Sequence, residues 1–123
     1  MRPGRELDCE IAEKVFGRKV IVKKKILHEI TEQGDRPLRR YTKEIAAAWE
    51  VVEKLNITVL PIEDGQWFAL LGKSEPWKSP ADFIQYLGEG KFVEAGAAIS
   101  DNAATAICTA ALRALTVRST KLQ

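Results

Sequence analysis

The stretch that decides the fold is Tyr41-Thr-Lys-Glu-Ile-Ala-Ala-Ala-Trp-Glu-Val-Val-Glu-Lys-Leu55. Its apolar side chains recur at helical spacing, which predicts a helix over residues 43–55 with one buried stripe. The stripe consists of Ile45, Trp49, Val52 and Leu55. Thr42 is the predicted N-cap and Asn56 the predicted stop. We expect Trp49 to be largely buried between this helix and a sheet.

Further elements follow on both sides of this helix. On its solvent side, Glu50 and Lys54 have the spacing of an i,i+4 ion pair. Residues 5–16 are a predicted helix ended by Gly17, since glycine is common just past a helix end. Residues 19–31 alternate as a strand whose apolar face would consist of Val20, Val22, Ile26, His28 and Ile30, with a bulge or turn near Lys23–Lys25. Residues 32–37 are a predicted turn.

The second half of the chain predicts a hairpin and two more helices. Asp64-Gly65 between two apolar runs is a strong signal for a hairpin over residues 57–71. Residues 79–87 form a predicted short helix, and residues 91–99 a predicted strand. The helix over residues 102–117 is apolar nearly all round, so we expect it either in a groove between sheet and helix or partly in a subunit contact. The second alternative suggests a homo-oligomer.

Three segments together resemble the phage ABA-sandwich domain family of small phage and prophage proteins. They are RELDCEIAEKVFG (5–17), YTKEIAAAWEVVEKL (41–55) and AAISDNAATAICTAALRAL (97–115). Residues 73–91 stand as an insertion relative to the short forms of the family. The resemblance implies a phage origin and an α-β-α sandwich, and its motifs carry no catalytic signature. With the predicted elements, it indicates an α+β fold with an antiparallel sheet of about four strands and helices packed on it.

Composition and length favour one globular domain over residues 1–123. The chain is 46% hydrophobic and 29% charged, which is ordinary for a globular domain. No apolar run approaches the ~20 residues that span a bilayer, and we expect the protein in the cytoplasm of a bacterial host cell. Cys9 and Cys108 are expected as buried thiols, although a disulfide remains open if their helices pack together. Together with His28 they give no metal-ligand spacing, so no metal or other cofactor is expected.

Charge is distributed unevenly along the chain. Residues 14–43 hold ten basic and three acidic side chains, a net charge of +7, although the whole chain is only +2. Basic side chains before a helix N-terminus are suited to phosphate. The candidate ligand-binding residues are Arg36, Arg39, Arg40, Lys23 and Lys25, with Trp77 as a stacking platform or as a lid over the core. The alternative is a set of solvated strand residues that protect a sheet edge.

Three classes of function are consistent with these features. The first is a phage accessory binding protein that captures a phosphate-bearing ligand or a host factor to counter a bacterial defence. The second is a nucleic-acid-binding accessory protein. The third is a small hydrolase acting on nucleotides, which is disfavoured because the sequence contains no nucleophile motif and no glycine-rich phosphate loop.

Overall fold

A computed structural model describes residues 4–73, 75–90 and 96–122 of the chain. Its helices are α1 (Arg5–Glu10), which continues as a π-helical segment (Ile11–Val15), α2 (Ile45–Leu55), α3 (Pro80–Gly88) and α4 (Ala103–Leu122). Its strands are β1 (Val20–Lys23), β2 (Ile26–Thr31), β3 (Gly34–Pro37), β4 (Thr58–Ile62), β5 (Gln66–Leu71) and β6 (Gly96–Ser100). The predicted α+β class is confirmed. Within the described residues, however, the strands form two antiparallel three-stranded sheets rather than one sheet of about four strands.

The first sheet has the order β1-β2-β3 and contains a tight turn at Lys24–Lys25. Both lysines have positive φ, 52° and 67°, as a two-residue hairpin turn of the primed type requires. The predicted turn is therefore present, but it reverses the chain and pairs Ile21 with His28. Val20 and Val22 consequently lie on the face opposite Ile26, His28 and Ile30, so the prediction of one shared apolar face was wrong. The predicted turn over residues 32–37 was also too long, since β3 occupies its last four residues.

The second sheet has the order β4-β5-β6 and supports the main core. Asp64 and Gly65 form the turn of its first hairpin, with φ of 64° and 70°, as predicted. The inner face of this sheet carries small and aliphatic side chains, which are Ala69, Leu71 and Ala98. Helix α4 packs directly on β5 and β6. Of the predicted strand over residues 91–99, the part from residue 91 to 95 lies outside the described residues.

Helix α4 is the centre of the molecule. It packs on the second sheet on one side and on α2 and the π-helical segment on the other. Every residue from Ala104 to Leu112 is buried. The groove between sheet and helix therefore accounts for the apolar girth of this helix. The homo-oligomer stays a prediction, but this feature no longer supports it.

Helix α2 is rotated relative to the predicted stripe. Its buried side chains are Ala47, Ala48, Val51 and Val52, whereas Trp49 is 50% exposed and Ile45 is 52% exposed. The prediction that Trp49 is largely buried was wrong. Two alanines allow α2 to approach the alanine-rich α4 closely, and this packing places Ile45 and Trp49 at the surface. Asn56 ends the helix in the left-handed conformation, as predicted.

Thr42 is not the N-cap of α2, which begins after Glu44. Thr42 is instead buried, and both its hydroxyl and its amide donate to the buried carboxylate of Asp8, at 2.8 and 2.9 Å. The guanidinium of Arg5 donates to the other oxygen of Asp8 and to the carbonyl oxygen of Leu38. This cluster binds α1 to the segment that leads into α2, so a tertiary contact determines the role of Thr42.

Candidate functional site

A fully buried carboxylate, that of Glu29 on β2, lies at the centre of a polar cluster. The hydroxyl of Tyr41 donates to both of its oxygens, at 2.6 and 2.9 Å. The guanidinium groups of Arg18 and Arg36 donate to Oε1 at 2.7 and 3.0 Å, and the backbone amide of Arg39 donates to Oε2 at 3.2 Å. A buried charge is tolerated only when it is paired and hydrogen-bonded, and this one meets both conditions.

The local fold explains how these side chains converge on Glu29. Glu29 and Arg36 are directly opposite each other in the β2–β3 ladder, so they share the inner face of the first sheet. Gly17, at φ 66°, turns the chain after the π-helical segment, and the amide of Arg18 closes that turn on the carbonyl oxygen of Ala12. This turn directs the Arg18 side chain over the ring of Phe16, at 4.5 Å from its centroid.

The hydrogen bonds shift the protonation equilibria of both buried groups. Burial acts to raise the pKa of Glu29, but the hydrogen bonds from Tyr41, the Arg39 amide and Arg36 outweigh it, so the pKa of Glu29 lies below its usual value. Burial, together with the hydrogen bond to Glu29, raises the pKa of Tyr41 to about 12. At neutral pH the cluster thus holds an ionised carboxylate and a neutral phenol.

A second carboxylate, Glu50 on α2, continues the network. It pairs with Arg39 and lies 3.7 Å from the Arg36 guanidinium. Its Oε2 and the Nε of Arg36 are both buried, and each lacks a hydrogen-bond partner in the described part of the chain. The predicted pair of Glu50 with Lys54 is therefore not formed. Among the described residues, Lys54 has no acidic partner.

Next to this network lies a cavity of about 430 Å³. It is lined by Phe16, Gly17, Arg18, Ile30, Thr31, Glu32, Gln33, Arg36 and Lys54. Three of these side chains are cationic and one is anionic. Its volume lies within the roughly 300–1,000 Å³ of small-molecule sites. Its walls come from the π-helix exit, the β2–β3 turn and the last turn of α2. The ion pairs of Glu29 connect the first two segments, and those of Glu50 connect α2 to them.

The structure does not gather the predicted ligand-binding residues on one surface. Arg36 lines the cavity. Arg39 does not line it, but its guanidinium forms an ion pair with Glu50. Lys23 instead forms an exposed ion pair with Asp35, at 3.2 Å. Lys25 is exposed in the β1–β2 turn, and Arg40 is exposed before α2. The basic segment is thus divided between the cavity wall and the solvent, and ligand contact by these residues remains a prediction.

Trp77 does not line this cavity and contacts β4 of the second sheet instead. Its indole donates to the Thr58 hydroxyl at 3.0 Å, and its ring contacts those of Phe83 and Tyr86, each with centroids 5.1 Å away. Ser79 caps α3 by accepting from the Asp82 amide, as its position before Pro80 indicates. Trp77 therefore packs against β4 and α3. Its two expected roles, a stacking platform or a lid over the core, stay predictions.

Sequence reasoning missed the remaining polar residues of the cavity. Arg18 follows the glycine that ends the first helix, and this position was a usable signal that its side chain would leave the helix axis. Lys54 was assigned to Glu50, which the arginines of the first sheet occupy instead. Glu32 and Gln33 belong to the β2–β3 turn and became part of the site only through the pairing of β3, which the sequence did not predict.

Comparison with known proteins places this architecture in a family. The model of the phage ABA sandwich domain matches residues 10–112. The chain belongs to the phage ABA sandwich domain family. The predicted phage kinship is thereby confirmed. A search among curated proteins found no significant match.

A solved structure has the same fold as this phage ABA sandwich protein. It is the 2.0 Å crystal structure of a phage protein from Bacillus cereus ATCC 14579, which aligns with a TM-score of 0.59 at 23% sequence identity. The alignment covers 94% of this chain and 89% of the Bacillus cereus chain. At this identity the likeness concerns the fold, and the cavity must be interpreted from its own residues.

Two other kinds of site are not found in the described part of this phage ABA sandwich protein. No group of three or more histidine, cysteine, aspartate or glutamate side chains there is arranged to bind a metal ion. None of the helices described combines the length and the hydropathy needed to cross a bilayer.

Cys9 and Cys108 are both free thiols. Cys108 is buried as expected, while Cys9 is partly exposed.

Proposed function

We propose that this protein is a phage-encoded accessory binding protein that captures a small phosphate-bearing molecule in the cavity beside the Glu29 cluster. The observation that carries the proposal is Lys54, a cation without an acidic partner among the described residues, which lines the same cavity as the guanidinium groups of Arg18 and Arg36. Arginine forks and lysine ammonium groups are the usual protein partners of phosphate oxygens.

Charge around the cavity favours an anionic ligand. The two buried or half-buried carboxylates, Glu29 and Glu50, are matched by three arginines. Lys54 adds a fourth cation, and Glu32 on the rim contributes one further negative charge. One positive charge therefore remains over the whole site. Glu29 holds the side chains of Arg18 and Arg36, and Glu50 holds that of Arg39, before any ligand arrives. Little conformational entropy is therefore lost on binding.

The cavity has the properties of a binding site rather than of a reactive centre. Its lining contains neither histidine nor cysteine. Its one hydroxyl, that of Thr31, donates to the Gly34 carbonyl oxygen at 2.8 Å and accepts from the Gln33 amide. A nucleophile needs an adjacent base to activate it. We therefore favour capture without chemical conversion of the ligand.

Capture of a host nucleotide would give a phage a direct advantage. A defence system that signals through a nucleotide loses its signal when a protein sequesters that nucleotide, and a small protein in the host cytoplasm is suited to this task. Two functions compete with nucleotide capture, which are binding of a host protein factor and binding of nucleic acid. Nucleic-acid binding would use the exposed cations Lys24, Lys25 and Arg40, and its affinity would fall steeply with salt.

Isothermal titration calorimetry with inorganic phosphate, pyrophosphate, adenosine monophosphate and a short DNA duplex tests the proposal. We expect Lys54→Gln to weaken binding of the small anions by about tenfold, the effect of ~1.4 kcal/mol. Lys43→Gln is the matched control, because Lys43 is exposed and lies outside the cavity lining. The affinity for the small anions should decrease less with salt concentration than an affinity for the DNA duplex would.

Two results would contradict capture in this cavity. In the first, none of the small anions binds to the wild-type protein. In the second, Lys54→Gln and Lys43→Gln reduce affinity equally, which would indicate nonspecific attraction to the surface rather than a site.

A further inference from the structure

We infer that the cavity takes a phosphate ester of a sugar with vicinal hydroxyl groups, as in a ribonucleotide, and that Glu32 recognises those hydroxyls. This inference rests on the proposed function and specifies its ligand. Glu32 lines the same cavity as Arg18, Arg36 and Lys54. It is therefore a carboxylate in a site that is otherwise cationic.

Within the described part of the chain, the Glu32 carboxylate has no side-chain partner. Among the described residues it takes part in no ion pair and no side-chain hydrogen bond, in contrast to Glu29 and Glu50, which are both paired. An ionised carboxylate accepts hydrogen bonds and donates none. It repels a bare phosphate but binds a group that presents hydrogen-bond donors.

The turn that carries Glu32 is held in place from within. The Thr31 hydroxyl donates to the Gly34 carbonyl oxygen at 2.8 Å, and the Gln33 amide donates to the same hydroxyl at 3.2 Å. These bonds fix the turn on either side of Glu32, and Gln33 also lines the cavity. The carboxylate and the carboxamide are thus presented together, one as an acceptor and the other as both acceptor and donor.

The cationic and the acidic side chains of the cavity consequently select different chemistry. The guanidinium groups and Lys54 match phosphate oxygens, while the two oxygens of Glu32 match a pair of neighbouring hydroxyls. An acidic side chain that accepts from ribose hydroxyls is a general solution in nucleotide sites. A ligand with a phosphate at one end and a diol at the other satisfies both, whereas a bare polyanion gains nothing from Glu32 and is repelled by it.

Calorimetric titration of three probes tests the inference. They are inorganic phosphate, ribose 5-phosphate and 2-deoxyribose 5-phosphate. We expect ribose 5-phosphate to bind the wild-type protein about tenfold tighter than inorganic phosphate, since a hydrogen bond to a charged acceptor contributes this much. The deoxy sugar, which lacks one hydroxyl of the pair, should bind with intermediate affinity.

The variant Glu32→Gln tests whether the carboxylate recognises the sugar hydroxyls or only contributes a negative charge to the cavity. We expect it to bring the affinities of ribose 5-phosphate and inorganic phosphate close together, with inorganic phosphate bound more tightly than by the wild type because a repulsive charge is gone. Glu53→Gln is the matched control, since Glu53 is exposed on α2 and does not line the cavity. It should leave the ratio of the two affinities unchanged.

The outcomes distinguish this inference from the proposed function. If none of the three probes binds, both are overturned. If inorganic phosphate binds with the expected dependence on Lys54 but ribose 5-phosphate binds no tighter, the cavity is an anion site and the role of Glu32 is refuted. Equal effects of Glu32→Gln and Glu53→Gln on all probes would refute it as well.

Discussion

The hydroxyl of Tyr41 donates to both oxygens of the Glu29 carboxylate, at 2.6 and 2.9 Å, and both residues are inaccessible to solvent. Glu29 belongs to the first sheet, whereas Tyr41 lies in the segment that enters α2. The thiol of Cys108 on α4 donates to the Tyr41 carbonyl oxygen at 3.1 Å. Tyr41 thus links the first sheet to the central helix, and with it the cavity wall to the core.

Replacing Tyr41 with phenylalanine should lower the free energy of unfolding by about 1.5–3 kcal/mol, because the buried Glu29 carboxylate loses its shortest hydrogen bond while ring packing is retained. Urea denaturation followed by circular dichroism measures this change. Tyr86→Phe is the control, since the Tyr86 hydroxyl forms no hydrogen bond within the described residues, and it should change stability by less than about 0.5 kcal/mol. Equal effects of the two substitutions would contradict the role of the Tyr41 hydroxyl.

Stability should decrease in alkaline solution partly through Tyr41. Its pKa is raised from 10.0 to about 12 in the folded protein. As pH rises between these values, Tyr41 of the unfolded chain ionises while the folded form keeps its proton, so the folded state loses stability. The difference in unfolding free energy between the wild type and Tyr41→Phe should therefore narrow over this range. A difference that stays constant would show that Tyr41 titrates normally.

Gly96→Ala should destabilise the protein strongly. A Cβ at Gly96 would clash with two atoms of α4, the carbonyl oxygen of Ala110 and the Cβ of Ala114. Overpacking of a filled core costs about 1–3 kcal/mol or more. Thermal denaturation would show it as a lower Tm. Gly88→Ala is the matched control, because a Cβ there meets nothing within 4 Å, and it should have no effect or raise the Tm slightly. A Tm unchanged by Gly96→Ala would refute the close contact of β6 and α4.

Trp49→Ala should cost less than about 1 kcal/mol, because half of the side chain is already exposed. Ile107→Ala on α4, where the side chain is fully buried, should cost about 2–5 kcal/mol in the same urea denaturation. If Trp49→Ala lowered the free energy of unfolding nearly as much as Ile107→Ala, the Trp49 side chain would be buried and α2 would have a different rotation about its axis.

The sequence predicted those parts of the fold that depend on local signals. Asp64-Gly65 specified a hairpin, and Asn56 specified the end of α2, since both positions need a left-handed backbone. Lys24 and Lys25 adopt the same left-handed conformation, although glycine, asparagine and aspartate are the usual residues in such a turn. The hairpin there was consequently only one of two alternatives, and the division of the strands into two sheets did not follow from the pattern.

The site was less predictable because its geometry comes from long-range contacts. Arg36 was identified from its charge, but its position depends on the pairing of β3 with β2. The alternation of residues 19–31 placed Glu29 opposite the predicted apolar face, and its burial follows only from the arginines and Tyr41, which donate hydrogen bonds to it. The exposure of Trp49 was also beyond local reasoning, since the small alanines of α2 and α4 decide which face of α2 turns inward.

The central position of α4 also has a consequence for biosynthesis. The ribosome produces this helix after the sheet and helices that it covers. Until Ala103 and the residues after it emerge, the inner face of the second sheet, with Ala69, Leu71 and Ala98, has no covering layer. Nascent chains shorter than this point therefore leave this apolar face uncovered, and uncovered apolar surface favours aggregation. The folding of the molecule is completed only when its central helix arrives.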